Sequence, residues 1–131
     1  MKPDILCIED NPDNRTLIQR ILRPDSYNLI EATSGVQGLA IAEGQECDLI
    51  LLDINLPDID GYEIARRIRA SKNSTLAQIP IIAVTANAMK GDAQKAIQAG
   101  CTKYMSKPIN IDELVKTVDV FARKGTQRGA A

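Results

Sequence analysis

The stretch 48–63, "DLILLDINLPDIDGYE", sets an unbroken apolar run, Leu49 to Leu52, directly against a carboxylate, Asp53. A continuous apolar strand has both faces covered, as at the centre of a parallel sheet. An acid at its far end then lies on the carboxyl edge of the sheet, where open α/β folds bind ligands. The other acids have plainer uses. Asp58, after Pro57, belongs to a turn. Asp60 and Glu63, three apart, read as the cap and capping partner of a helix opening at Gly61. Asp48 leads into the strand. Asp53 is the acid left for chemistry.

The same alternation of strand and helix runs outward in both directions. Strands are expected over 4–10 ("DILCIED"), 27–32, 48–53, 79–85 and 101–107. Between them lie helices over 11–22, 34–44, 60–71, 88–100 and 110–123. Asn11 is a capping residue and Pro12 suits the first helical position. Ser34 with Gln37, and Asn110 with Glu113, have capping-box spacing. Leu17, Ile18, Ile21 and Leu22 form one apolar face, and Ile111, Leu114, Val115, Val118 and Phe121 another. The helix over 88–100 is weaker, carrying Gly91 and little apolar surface. Five strands alternating with five helices imply a three-layer α/β/α fold with a parallel sheet. Right-handed crossovers at this size favour the flavodoxin-like strand order 2-1-3-4-5.

Composition narrows the chemistry. A chain of 131 residues fits one domain, and 44% hydrophobic residues supply an ordinary core, aliphatic because aromatics are only 3%. A formal net charge of -1 argues against general nucleic-acid or anionic-membrane binding. There is no long apolar segment and no signal-peptide pattern, so a cytoplasmic protein is expected. Cys7, Cys47 and Cys101 are scattered and read as buried small hydrophobes. Histidine is absent. That excludes Ser-His-Asp and Cys-His catalysis, histidine metal ligation and a phosphohistidine on this chain.

The strand ends gather a distinctive set. Strand one ends in Glu9 and Asp10, strand three in Asp53, strand four in Thr85, and strand five runs out into Lys107-Pro108. In the order 2-1-3-4-5, strands one and three meet at the switch point, so the three acids converge there, with Thr85 and Lys107 opposite. Clustered carboxylates repel unless they share a proton or bind a cation. An oxygen-only donor set suits a hard ion such as Mg2+. A lysine and a hydroxyl opposite complete a site for a transferred phosphoryl group, whose chemistry needs positioning and charge neutralisation. Taken singly, each residue has a plainer use: Asp53 as a turn opener, Thr85 as a strand residue, Lys107 as a surface lysine, Tyr104 as a static core residue. Met89 carries no assigned chemistry, and Arg66, Arg67 and Arg69 read as a solvated helix face.

"IEDN", "LLDINLPDIDG", "AVTANAMKGD" and "YMSKPI", in this order and spacing over residues 4–123, resemble the receiver domain of bacterial response regulators. The "TANAMKGD" segment is similar to phosphorelay receivers, whether in hybrid kinases or in stand-alone cell-division regulators of the DivK type. The resemblance implies a CheY-like (βα)5 fold and a switch that takes a phosphoryl group from a phosphohistidine. It makes Asp53 the phosphoacceptor. Asp10, Asp53 and the Asn55 backbone carbonyl would hold Mg2+, with Glu9 acting through water and Mn2+ able to substitute. Thr85, Lys107 and the Ala86 backbone would contact the phosphoryl oxygens, and a water near Asn55 and Asn87 could hydrolyse the acyl phosphate. Thr85 and Tyr104 would form the switch, with Tyr104 turning inward, and the Lys107-Pro108 bond would be cis. Glu9 stands where aspartate is commoner in the family.

The expected organisation is a receiver over 1–124, a short flexible tail over 125–131 and no output domain. Partners would be a histidine kinase or histidine phosphotransfer protein and a downstream protein target, with no DNA or membrane contact, from a monomer or weak dimer. The principal alternative is a Mg2+-dependent aspartate-nucleophile phosphatase of the haloacid-dehalogenase class. That class wants a second acid two residues after the first, where Asn55 stands here. A receiver fragment of a hybrid kinase is a second alternative. A nucleotide or flavin binder lacks support, since "EDNPDNR" after strand one is no glycine-rich phosphate loop. An EF-hand fails too, because the position that needs glycine is Asp58.

Overall fold

The computed structural model describes residues 2–86 and 91–127, with side chains as far as Ala122. Its elements are β1 (Asp4–Ile8), α1 (Pro12–Ile21), β2 (Asn28–Ala32), α2 (Gly35–Gly44), β3 (Leu49–Asp53), α3 (Gly61–Arg69), α4 (Ser74–Ala77), β4 (Ile81–Thr85), α5 (Asp92–Gln98), β5 (Lys103–Ser106) and α6 (Ile111–Gln127). Every strand pair is parallel, and the order is β2-β1-β3-β4-β5, as the crossover rules imply.

Alternation along the strands divides the core in two. Ile5, Cys7, Leu49, Leu51 and Ile82 pack with Ile18 and Leu22 of α1 and Leu114 and Val118 of α6. Leu6, Ile8, Ile50, Leu52 and Ile81 face the other way, onto Ile64 and Ile68 of α3 and Ala96 of α5. β3 and β4 are buried along their whole length, whereas the edge strands β2 and β5 are not. Each fully buried Leu or Ile contributes roughly 2 kcal/mol of transfer free energy. The three cysteines are buried and form no disulfide. Burial pushes the Cys7 thiol up to about 12, so it is an inert core group.

Most helix ends follow the expected signals. Asn11 accepts from Asp13 and Asn14 N–H, Asp60 from Tyr62 N–H, and Asn110 from Glu113 N–H. Ser34 accepts from Gln37 N–H, but the Gln37 carboxamide reaches back to Thr33 N–H, one residue earlier than a capping box requires. Glu63 does not close a box with Asp60. Its carboxylate pairs forward with Arg66 and Arg67 at 3.1 and 3.0 Å, where helical spacing brings opposite charges together.

Other positions depart from the sequence expectation as well. Asp58 does more than shape a turn: its two oxygens accept from Gly35 and Val36 N–H, both at 2.9 Å, tying the β3–α3 loop to the start of α2. Arg69 is not solvated like its neighbours, because it donates to the Gly100 and Ala77 carbonyls at 2.8 and 3.0 Å. Ile111 begins α6 but is 55% exposed, and the buried stripe runs instead through Leu114, Val118 and Ala122. The short helix α4 was not expected. Asn73 caps it through Thr75 and Leu76 N–H, and it buries Leu76. Asn87 and Met89 lie outside the described residues, and α5 begins later than expected, after Gly91 at φ 95°.

The β3–α3 connection is tight at Gly61. A Cβ there would sit 2.5 Å from Ile54 Cα and 2.8 Å from the Asp53 carbonyl oxygen, both backbone atoms that cannot swing aside. Gly61→Ala is therefore expected to lower unfolding free energy in urea by about 2 kcal/mol. Gly44→Ala, with nothing within 4 Å of the added carbon, is expected to leave it unchanged or raise it.

Candidate functional site

β1 and β3 are neighbours whose crossovers leave opposite sides of the sheet, so their carboxyl ends open onto one crevice. Glu9, Asp10 and Asp53 meet there. Each offers a carboxylate oxygen, and these oxygens lie within 4.8 Å of one another. Glu9 and Asp53 are 3% and 4% exposed, and Asp10 is open to solvent. Three oxygen donors of this charge, one facing water, fit a hard divalent cation.

Lys107 reaches in from the end of β5. Its ammonium donates to Glu9 Oε1 at 3.0 Å and stands 3.7 Å from Asp53 Oδ2. The Lys107-Pro108 peptide is cis, as the resemblance implied. Asp53 Oδ1 accepts from Asn55 N–H at 2.9 Å, and Glu9 Oε2 from Asn11 N–H at 3.1 Å. On the β4 side, the Thr85 hydroxyl and the Ala86 N–H both donate to Asn55 Oδ1, at 2.9 and 3.3 Å. Thr85 is 2% exposed.

The two buried acids titrate in opposite directions. Burial, followed by the Glu9 carboxyl beside it, pushes Asp53 up to about 7, against the pull of Asn55 N–H and Lys107. Burial would raise Glu9 as well. Hydrogen bonds from Asp53, Lys107 and Asn11 N–H outweigh it and hold Glu9 below the usual carboxyl range. Without a cation the proton held by the pair sits on Asp53, because Lys107 lies closer to Glu9.

Seven of the expected residues are therefore drawn together: Glu9, Asp10, Asp53, Asn55, Thr85, Ala86 and Lys107. Tyr104 is not in the crevice. It pairs with Ala83, two residues short of Thr85, and packs half-buried in the core on the α3 and α5 side. Its hydroxyl is buried without a hydrogen-bond partner among the described residues. The site also contains groups that residue patterns did not mark. Arg15, one turn into α1, donates to the carbonyl oxygens of both Glu9 and Asp10 at 2.9 Å and fixes the acidic turn. The Asn55 side chain, rather than its carbonyl alone, bridges β3 to β4.

Comparison with known proteins decides the family. Residues 5–119 match the response regulator receiver domain. The chain belongs to this family. It is 37% identical to the polar-differentiation response regulator DivK of Brucella ovis, over 92% of this chain and 97% of that protein. It is 40% identical to the receiver domain of the sensor histidine kinase PA1611 from Pseudomonas aeruginosa PAO1, with a TM-score of 0.83 over 93% of this chain and 98% of the other. That structure has a magnesium ion coordinated in its active-site cleft. A CheY-like receiver domain protein from Methanospirillum hungatei JF-1, at 24% identity, shares the fold, with a TM-score of 0.84 over 98% of this chain and 99% of that one. The protein is thus a two-component receiver, a phosphorylation-activated signalling switch rather than an ordinary enzyme, in a family that works with histidine kinases and phosphotransfer partners. Among the described residues no helix is long and apolar enough to cross a membrane.

A carboxyl raised above its unfolded pKa stabilises the fold while protonated, and that contribution disappears as pH rises through the folded value. Asp53, ordinarily 3.8 and here about 7, therefore makes the cation-free protein lose stability as pH rises from about 4 to about 7. Thermal melts in a chelator are expected to show this fall and Asp53→Asn to remove it. Added divalent cation should raise the wild-type melting temperature more at the higher pH, where both carboxylates are charged.

Proposed function

We propose that Asp53 accepts a phosphoryl group from a phosphohistidine on a histidine kinase or histidine phosphotransfer protein. The observation that carries this is a nearly buried carboxylate with Lys107 on one side and the Thr85 and Ala86 donors on the other, beside two further acids. Asp53 forms a bond from a carboxylate oxygen to phosphorus as the phosphorus–nitrogen bond to imidazole breaks. The electron pair stays on the ring nitrogen, which then takes up a proton. Lys107 offsets the charge on the phosphoryl oxygens, and Thr85 and Ala86 offer them hydrogen bonds. Mg2+, or Mn2+ in its place, would be held by Asp10, Asp53 and the Asn55 carbonyl, with Glu9 through water, and would supply charge neutralisation of the phosphoryl oxygens. Asn11 N–H and Arg15 keep the acidic turn in place for this.

The aspartyl phosphate carries roughly 1.5 to 2 negative charges, by analogy with phosphorylated hydroxyl residues, in place of the single charge of the carboxylate. Thr85 exchanging its partner for the phosphoryl group would draw β4, and Tyr104 on the adjacent strand would follow. The region after β4 and α5 is the two-state element, and the surface of β4, α5, β5 and α6 is the readout. The receiver unit is assigned to residues 1–124, acting in the cytoplasm through protein contact or onward phosphotransfer, and reversing by hydrolysis. The phosphatase alternative is disfavoured, since the position that would supply its general acid is Asn55, engaged with Thr85 and Ala86.

The test is transfer of labelled phosphate from a phosphorylated kinase or phosphotransfer protein. Wild type should take up label that base and hydroxylamine release, and Asp53→Asn should stay at background. Lys107→Ala should slow uptake by at least about 100-fold, the usual effect of deleting a transition-state charge partner. Full labelling of Asp53→Asn would sink the assignment. Steady turnover of phosphate monoesters would favour the phosphatase.

A further inference from the structure

The two donors that should receive the phosphoryl group are already occupied. Thr85 O–H and Ala86 N–H converge on one acceptor, Asn55 Oδ1, at 2.9 and 3.3 Å. The same residue's N–H holds Asp53 Oδ1 at 2.9 Å. Asn55 therefore spans the crevice from the acceptor carboxylate on β3 to the donors at the end of β4. We propose that the Asn55 carboxamide is a clasp that stands in for the phosphoryl group in the resting protein, and that phosphorylation works by displacing it. The proposal rests on Asp53 being the phosphoacceptor.

The physical basis is a competition between acceptors. A carboxamide oxygen is neutral, whereas phosphoryl oxygens are anionic and bind the same donors about twice as strongly. An exposed side chain can leave at little cost, and Asn55 is exposed while Thr85 is buried. With Asn55 in place, a buried hydroxyl and a backbone N–H keep an acceptor before the phosphoryl group arrives. With the phosphoryl group in place, Asn55 swings to solvent and the donors change partner. The clasp would set how readily the site fills, so Asn55 is a positioning residue and not a reacting one. Thr85 needs only to exchange acceptors, because its hydroxyl already faces the crevice.

Beryllofluoride in excess Mg2+ is the probe, titrated by calorimetry and by the Ala86 amide resonance. In wild type the amide should shift on saturation. In Asn55→Ala it should be shifted before any addition, and beryllofluoride should bind about fivefold tighter, the worth of one neutral hydrogen bond no longer lost. Labelling from phosphoramidate should speed up in parallel. Mg2+ affinity measured without fluoride should change far less than beryllofluoride affinity, since substitution leaves the Asn55 backbone carbonyl. Equal or weaker beryllofluoride binding by Asn55→Ala overturns the clasp, and so does an equal change in Mg2+ affinity, which would mean a general loosening. Asn55→Gln, which keeps a carboxamide, should return affinity part-way to wild type, and failure to do so also counts against the clasp. Wild type that takes up no beryllofluoride overturns the assignment of Asp53, and the clasp with it.

Discussion

A carboxylate with 4% exposure, closing the central strand of a sheet, is the constraint around which the structure is arranged. An isolated buried charge is costly, so Asp53 must be hydrogen-bonded, paired or protonated. All three answers are visible. Asn55 N–H donates to it, Lys107 stands 3.7 Å away, and its pKa is pushed up to about 7. Lys107 can serve only if β5 lies on the far side of β4 from β3, and Glu9 only if β1 lies beside β3. The strand order β2-β1-β3-β4-β5 satisfies both.

The surroundings hold this cluster without filling it. Arg15 grips the carbonyls behind Glu9 and Asp10. Asp58 pins the loop after β3 to α2, and the bare Cα of Gly61 lets α3 begin against that loop's backbone. Arg69 ties the far end of α3 to the turn before β5. Beyond the β3–β4 ladder, Asn55 adds a side-chain link from the end of β3 to Thr85 and Ala86, which suits a device whose two states differ in how the end of β4 is engaged.

Much of this was legible in the residues. The apolar run Leu49 to Leu52 marked a central parallel strand, and alternation with amphipathic helices marked the layers, because burial imposes those periods on any sequence that folds this way. Chemical type at the strand ends marked Glu9, Asp10, Asp53, Thr85 and Lys107. The departures differ in cause: Glu63 pairs with Arg66 and Arg67 within its own helix, whereas Asp58 and Arg69 take partners remote in the chain. Those partners are Gly35 and Gly100, 23 and 31 residues away.

The sequence alone determined the fold class, the edge of the sheet where the chemistry lies and the residues able to perform it, since these follow from hydrophobic period and chemical type. Tertiary structure decided which acid keeps the proton, which arginine is solvated, and that Asn55 spans β3 and β4. Those depend on distances of about 3 to 4 Å between groups remote in the chain, over which hydrogen bonds and charge interactions change steeply. Local pattern carries no such distances.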